Sequence, residues 1–123
     1  INQTFLLGLF ILSLNSCTES IKKTSKFIYE IEESSVQLKI LNGNDYLTYN
    51  TPIRVDFEWK NIEPETVSIY GTGIKLLGIN NEVTQTEINI ERHHLISDTL
   101  DIKLSFELNG QKTSTYFNIP VKN

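Results

Sequence analysis

Ile53-Arg54-Val55-Asp56-Phe57-Glu58-Trp59-Lys60 alternates apolar and charged side chains without a break. Successive side chains of an extended chain point to opposite faces, so this period of two puts Ile53, Val55, Phe57 and Trp59 on one side and every charge on the other. The stretch predicts a strand with one dry and one wet face. The pattern returns downstream, where Leu100, Ile102, Leu104, Phe106 and Leu108 alternate with Asp101, Lys103, Ser105 and Glu107.

Asn109-Gly110 follows that second strand, and this dipeptide tolerates positive φ at both central positions of a type I′ hairpin turn. The turn sets the register: Phe106 faces Thr113, Leu104 faces Thr115, Ile102 faces Phe117 and Leu100 faces Ile119 on the inner side. Outside, Glu107 faces Lys112 and Lys103 faces Tyr116. Apolar side chains meet and opposite charges pair, and a slip of one residue destroys both arrangements. Pro120 lacks an N–H, so the last strand is expected to end or lie at a sheet edge there.

Further strands are expected at 27–32, 36–41, 46–49, 66–70, 74–79 and 83–91. Between them, Asn42-Gly43-Asn44-Asp45, Asn61 to Glu65 with Pro64, Gly71-Thr72-Gly73 and Asn80-Asn81 carry turn chemistry. No helical period of useful length appears after residue 26. Seven or eight short antiparallel strands at this spacing predict an all-β, two-sheet immunoglobulin-like sandwich over 27–123, with a barrel as the alternative.

The first residues carry a different message. Phe5 to Leu14 is an apolar run of about ten residues, roughly 15 Å as a helix and half of the ~30 Å that a spanning helix must cross. Its form is that of a secretory signal whose positively charged start is missing, and with no initiating Met the start is expected to be truncated. Leu14-Asn15-Ser16-Cys17 resembles the lipobox of bacterial lipoproteins, with Asn15 departing from the usual residue at −2. That resemblance implies a signal peptide at 1–16, cleavage before Cys17 and acylation of its thiol by diacylglyceryl and palmitate-like chains. Cys17 is the sole cysteine, which fits an acceptor better than a disulfide partner. Two or three acyl chains hold a protein firmly where one binds marginally. Residues 17–26 are polar and aperiodic and read as a tether. Thr18 is not the aspartate that resembles an inner-membrane retention signal, which implies the periplasmic face of the outer membrane.

The formal net charge is −4, and residues 1–16 contribute none of it. A mildly acidic chain lacks the basic face of a nucleic-acid binder, and the length suits a single core.

From Leu47 onward the order of motifs resembles the immunoglobulin-like repeats of gliding motility-associated GldM proteins of Bacteroidetes. The matching residues are Asn50-Thr51-Pro52-Ile53 leading into a strand, Ile62-Glu63-Pro64-Glu65-Thr66-Val67 at a turn, Gly71 and Gly73-Ile74. Phe106 to Lys112, followed by Tyr116 to Val121, resembles the terminal hairpin. Those proteins are multi-domain and held by a transmembrane helix, so the resemblance implies the module, in gliding motility or type IX secretion, rather than the motor.

Candidate chemistry is sparse. No Gly-x-Ser-x-Gly elbow accompanies the serines, so no enzyme is expected; an exposed pocket holding two carboxylates would revive a hydrolase. His93-His94 would point to opposite faces of a strand, and a zinc site would need Glu91 or Asp98. The pair therefore reads as a solvated loop, and no metal or cofactor is expected. Asn42 to Asp45 offers too few oxygens for calcium and reads as a turn. Trp59 is in phase with Phe57 and reads as core rather than as a sugar platform. Asp98-Thr99-Leu100 resembles the O-glycosylation acceptor of Bacteroidetes envelope proteins. Tyr46, Tyr70 and Tyr116 are the candidate contact surface. The expected role is a lipid-anchored envelope module that binds or spaces another envelope protein, with a glycan- or small-ligand-binding lipoprotein of an uptake system as the alternative.

Overall fold

The computed structural model describes residues 27–123, so the signal peptide, Cys17 and the tether lie outside the described residues. Nine strands form two sheets: β1 (Ile28–Ile31), β2 (Ser34–Ile40), β3 (Leu47–Thr48), β4 (Ile53–Lys60), β5 (Ser68–Tyr70), β6 (Ile74–Asn80), β7 (Val83–Ile88), β8 (Thr99–Leu108) and β9 (Gln111–Lys122). One sheet has the order β1-β2-β4-β7-β6 and the other β3-β9-β8-β5. With β1 set aside, β2-β4-β7-β6 is the A-B-E-D order of an immunoglobulin domain, and β9-β8-β5 is its G-F-C order. Two departures from the sequence reading are the number of strands and the parallel pairing of β3 with β9, Leu47 opposite Val121.

The dry faces meet as expected. Val55 and Phe57 are fully buried, as are Ile102, Leu104 and Ile119. Trp59 of β4 meets Phe106 of β8 edge-on at 6.2 Å across the sandwich and stacks along its own strand on Phe57. Its indole N–H donates to Thr84 Oγ1 at 2.9 Å, so the one polar atom of this side chain has a partner in the core. Trp59 is therefore interior, and its ring is not available to stack on a ligand.

The β8–β9 hairpin has the expected register in every pair, from Leu108 opposite Gln111 to Leu100 opposite Ile119. Both turn residues have positive φ, 53° at Asn109 and 80° at Gly110. Pro120 does not end β9, which continues to Lys122. The Val121 N–H donates to the Asp98 carbonyl, and successive residues of a strand direct their N–H groups to opposite edges. The missing donor of Pro120 thus points away from β8, onto the side that β3 reaches only at Val121 and Lys122.

Turn chemistry also places the other reversals. Asn61 and Asn81 both adopt the left-handed region. Gly73, at φ 75°, is required twice over, because a Cβ there would strike the Asn89 carbonyl oxygen. Thr66, expected in a strand, instead closes a 3₁₀ turn at Pro64–Thr66, and β5 is only three residues long. The expected strand 83–91 stops at Ile88, although the Asn89 N–H still donates to the Gly73 carbonyl in the register of Ile74 with Ile88, and the Ile90 carbonyl accepts from Asn50.

Candidate functional site

The shortness of β5 leaves one flank of the sandwich open. β5 pairs only with β8 and β6 only with β7, so both sheets end on the same side, each with an unpaired edge among the described residues. Ile74, Leu76 and Ile79 pair opposite Ile88, Thr86 and Thr84, the inward residues of β7. They therefore share the core-facing side of the sheet, yet Leu76 is 61% and Ile79 44% exposed. A bulge at Leu77 turns that side chain outward as well, 43% exposed.

Pro64, Val67 and Ile69 face this strand across a groove of about 180 Å³ whose remaining lining is Thr84 and Thr86. Both threonine hydroxyls are engaged within the fold, Thr84 with Trp59 and Thr86 by donating to the Val55 carbonyl. The groove is consequently an apolar slot beside a free strand edge. Natural edge strands are usually guarded by charge or proline, whereas β6 carries one charge, Lys75. A strand is expected at 74–79 from the sequence; the exposure of its side chains follows from the brevity of β5, which no local pattern encodes.

The three tyrosines do not form one patch. Tyr70, Lys103 and Tyr116 stand in a single row across β5, β8 and β9, and both rings are well exposed, 58% and 59%. The adjoining row is Ser68, Ser105 and Ser114, with the last two hydroxyls 3.1 Å apart. Tyr46 is half-buried beneath Lys122, whose Nζ lies 4.4 Å from its ring centroid. Lys122 is six residues along β9 from Tyr116, roughly 20 Å.

A broad opening at the β1–β2, β4–β5 and β8–β9 turns is lined by Glu32, Glu33, Glu63 and Glu107. All four are exposed. An exposed opening that holds carboxylates is the feature under which the sequence reading would revive a hydrolase.

The β7–β8 connection is held by contacts of its own side chains. Arg92–His94 forms a 3₁₀ turn rather than strand, so the alternation that would separate the two histidines does not apply, and their rings lie 4.5 Å apart. Arg92 stacks on the Tyr49 ring at 4.9 Å, and the Tyr49 hydroxyl donates to Asp98 Oδ1 at 2.5 Å. The Asp98 contact, with burial and the nearby carboxylate charge, raises the Tyr49 pKa, opposed by Arg92. Asp98, part of the tripeptide resembling a glycosylation acceptor, is thus already committed as a partner of Tyr49.

No protein-family model matches the sequence, and no curated protein is significantly similar to it. Among the described residues no helix is long and apolar enough to cross a membrane.

Proposed function

We propose that the protein is a non-enzymatic, lipid-anchored component of a bacterial cell envelope, held at the periplasmic face of the outer membrane through acylated Cys17. Its immunoglobulin-like module engages an extended segment of another envelope protein at the β5–β6 flank. The observation that carries this reading is the unguarded edge of β6 beside an apolar slot. An added strand would satisfy the free backbone groups while its alternate side chains cover Leu76 and Ile79. The resemblance to GldM repeats makes the gliding motility and type IX secretion apparatus the first place to seek the partner. Affinity capture from solubilised envelopes with the parent and with Leu76→Asp tests it. The partner is expected with the parent and reduced at least about tenfold with the variant, ~1.4 kcal/mol; equal recovery by both refutes the assignment of this edge.

A glycan-binding role is the second reading, favoured by the Tyr70–Lys103–Tyr116 row. Two exposed rings flank a cation, with serine hydroxyls in the neighbouring row. Aromatic faces beside hydroxyl donors suit a sugar, which is apolar on one face and polar at its rim. Glycan-array binding that is lost in both Tyr70→Ala and Tyr116→Ala supports it, and an array without a hit removes it.

A further inference from the structure

We infer that the β7–β8 turn is a binding site for a divalent cation of the zinc class, with Glu91, His93 and His94 as its ligands. One ligand atom from each of the three side chains lies within 4.8 Å of the other two. Zinc bonds to nitrogen and oxygen are ~2.0–2.2 Å, so two ligands of one ion stand between about 3.4 Å in a tetrahedral site and about 4.2 Å when opposed. His93 Nδ1 and Glu91 Oε1, 3.7 Å apart, already satisfy that range. The remaining closure is a few tenths of an ångström per side chain. Both of these side chains are largely exposed, so no packing resists the rotation.

The backbone beneath the ligands is held at both ends. Before the turn, the Asn89 N–H donates to the Gly73 carbonyl and the Ile90 carbonyl accepts from Asn50. Within it, the His94 N–H donates to the Glu91 carbonyl at 2.9 Å, and the Glu91 N–H donates to His94 Nδ1 at 3.3 Å. After it, Asp98 is tied to Tyr49, on whose ring Arg92 also rests. The ligand set is therefore presented on a fixed turn rather than gathered from a loose loop. Two imidazoles and one carboxylate prefer zinc, copper or nickel to calcium or magnesium. Three protein ligands leave a coordination position directed at solvent, open to water or to a donor atom of another molecule.

Titration of zinc chloride into the untagged protein, residues 1–123, at neutral pH, followed calorimetrically, tests the site. Cys17→Ser is measured in parallel, because the thiol is the other soft ligand in the sequence. Binding of one equivalent is expected in the parent and in Cys17→Ser. It should weaken at least about tenfold in each of His93→Ala, His94→Ala and Glu91→Gln. A dissociation constant in any of those three variants within about threefold of the parent overturns the assignment, as does binding lost in Cys17→Ser alone or a parent with no measurable heat. Unchanged emission from Trp59 in each variant shows that the fold is intact.

Discussion

Trp59 and Thr84 form a buried polar pair whose removal has a computable signature. Thr84→Val keeps the shape of the side chain and orphans the indole N–H, at a cost of about 2 kcal/mol within the range for an unsatisfied buried donor. Trp59→Phe leaves the Thr84 hydroxyl unpaired at similar cost. It also removes about 40 Å³ of ring, adding ~1 kcal/mol at 24 cal/mol per Å³ of cavity. The double variant keeps the volume loss of ~1 kcal/mol and forfeits the net value of one hydrogen bond, also ~1 kcal/mol, but buries no orphan. Its destabilisation is therefore expected at about 2 kcal/mol, against about 5 for the sum of the single changes. Urea unfolding followed by circular dichroism measures all four proteins, since Trp59 is the sole tryptophan and fluorescence is lost with it. A double variant that matches the sum within about 0.5 kcal/mol would show the two sites to be independent and refute the interior placement of this pair.

Gly73→Ala is expected to destabilise by more than the ~1–2 kcal/mol of a left-handed alanine, since its Cβ also meets the Asn89 carbonyl; Gly110→Ala, with nothing near its Cβ, should cost only the conformational term in the same unfolding assay. Leu76→Asp should change stability by less than about 1 kcal/mol, because the side chain is largely exposed, while weakening partner capture at least about tenfold; a large fall in melting temperature would contradict the open flank. The raised Tyr49 pKa favours the folded state while the phenol is protonated. This contribution should be level below about pH 10 and decline as pH rises through the folded value, a decline that Tyr49→Phe should lessen in alkaline unfolding curves. Metabolic labelling with palmitate should mark the parent and not Cys17→Ser, and equal labelling would remove the lipid anchor from the proposed function.

Much of the architecture was legible because its determinants are local. The alternation at Ile53 to Trp59 names the buried face, since a pleated chain has no other way to sort its side chains. Asn109-Gly110 fixes the β8–β9 register, because a two-residue turn with two positive φ angles leaves one pairing. The Glu91–His93–His94 cluster was half legible: the sequence names Glu91 or Asp98 as the carboxylate that a site at His93-His94 would need, but period-two reasoning holds only while the chain is extended, and it is the 3₁₀ turn at Arg92–His94 that brings the two rings together. The tyrosines illustrate the same division. Register carried Tyr116 to the outer face, but only the packing order β9-β8-β5 set Tyr70 in its row and left Tyr46 at the far end under Lys122.

Sequence by itself therefore determined the all-β class, the dry face of each long strand, the terminal hairpin and the interior position of Trp59, all consequences of side-chain period and turn dihedrals between near neighbours. Tertiary structure alone decided that β3 runs parallel to β9 and that the β5–β6 flank stays uncovered. Those outcomes depend on how far each sheet extends past the other and on hydrogen bonds between distant segments, quantities set by the sum of packing and chain closure over the whole domain rather than by any stretch of residues.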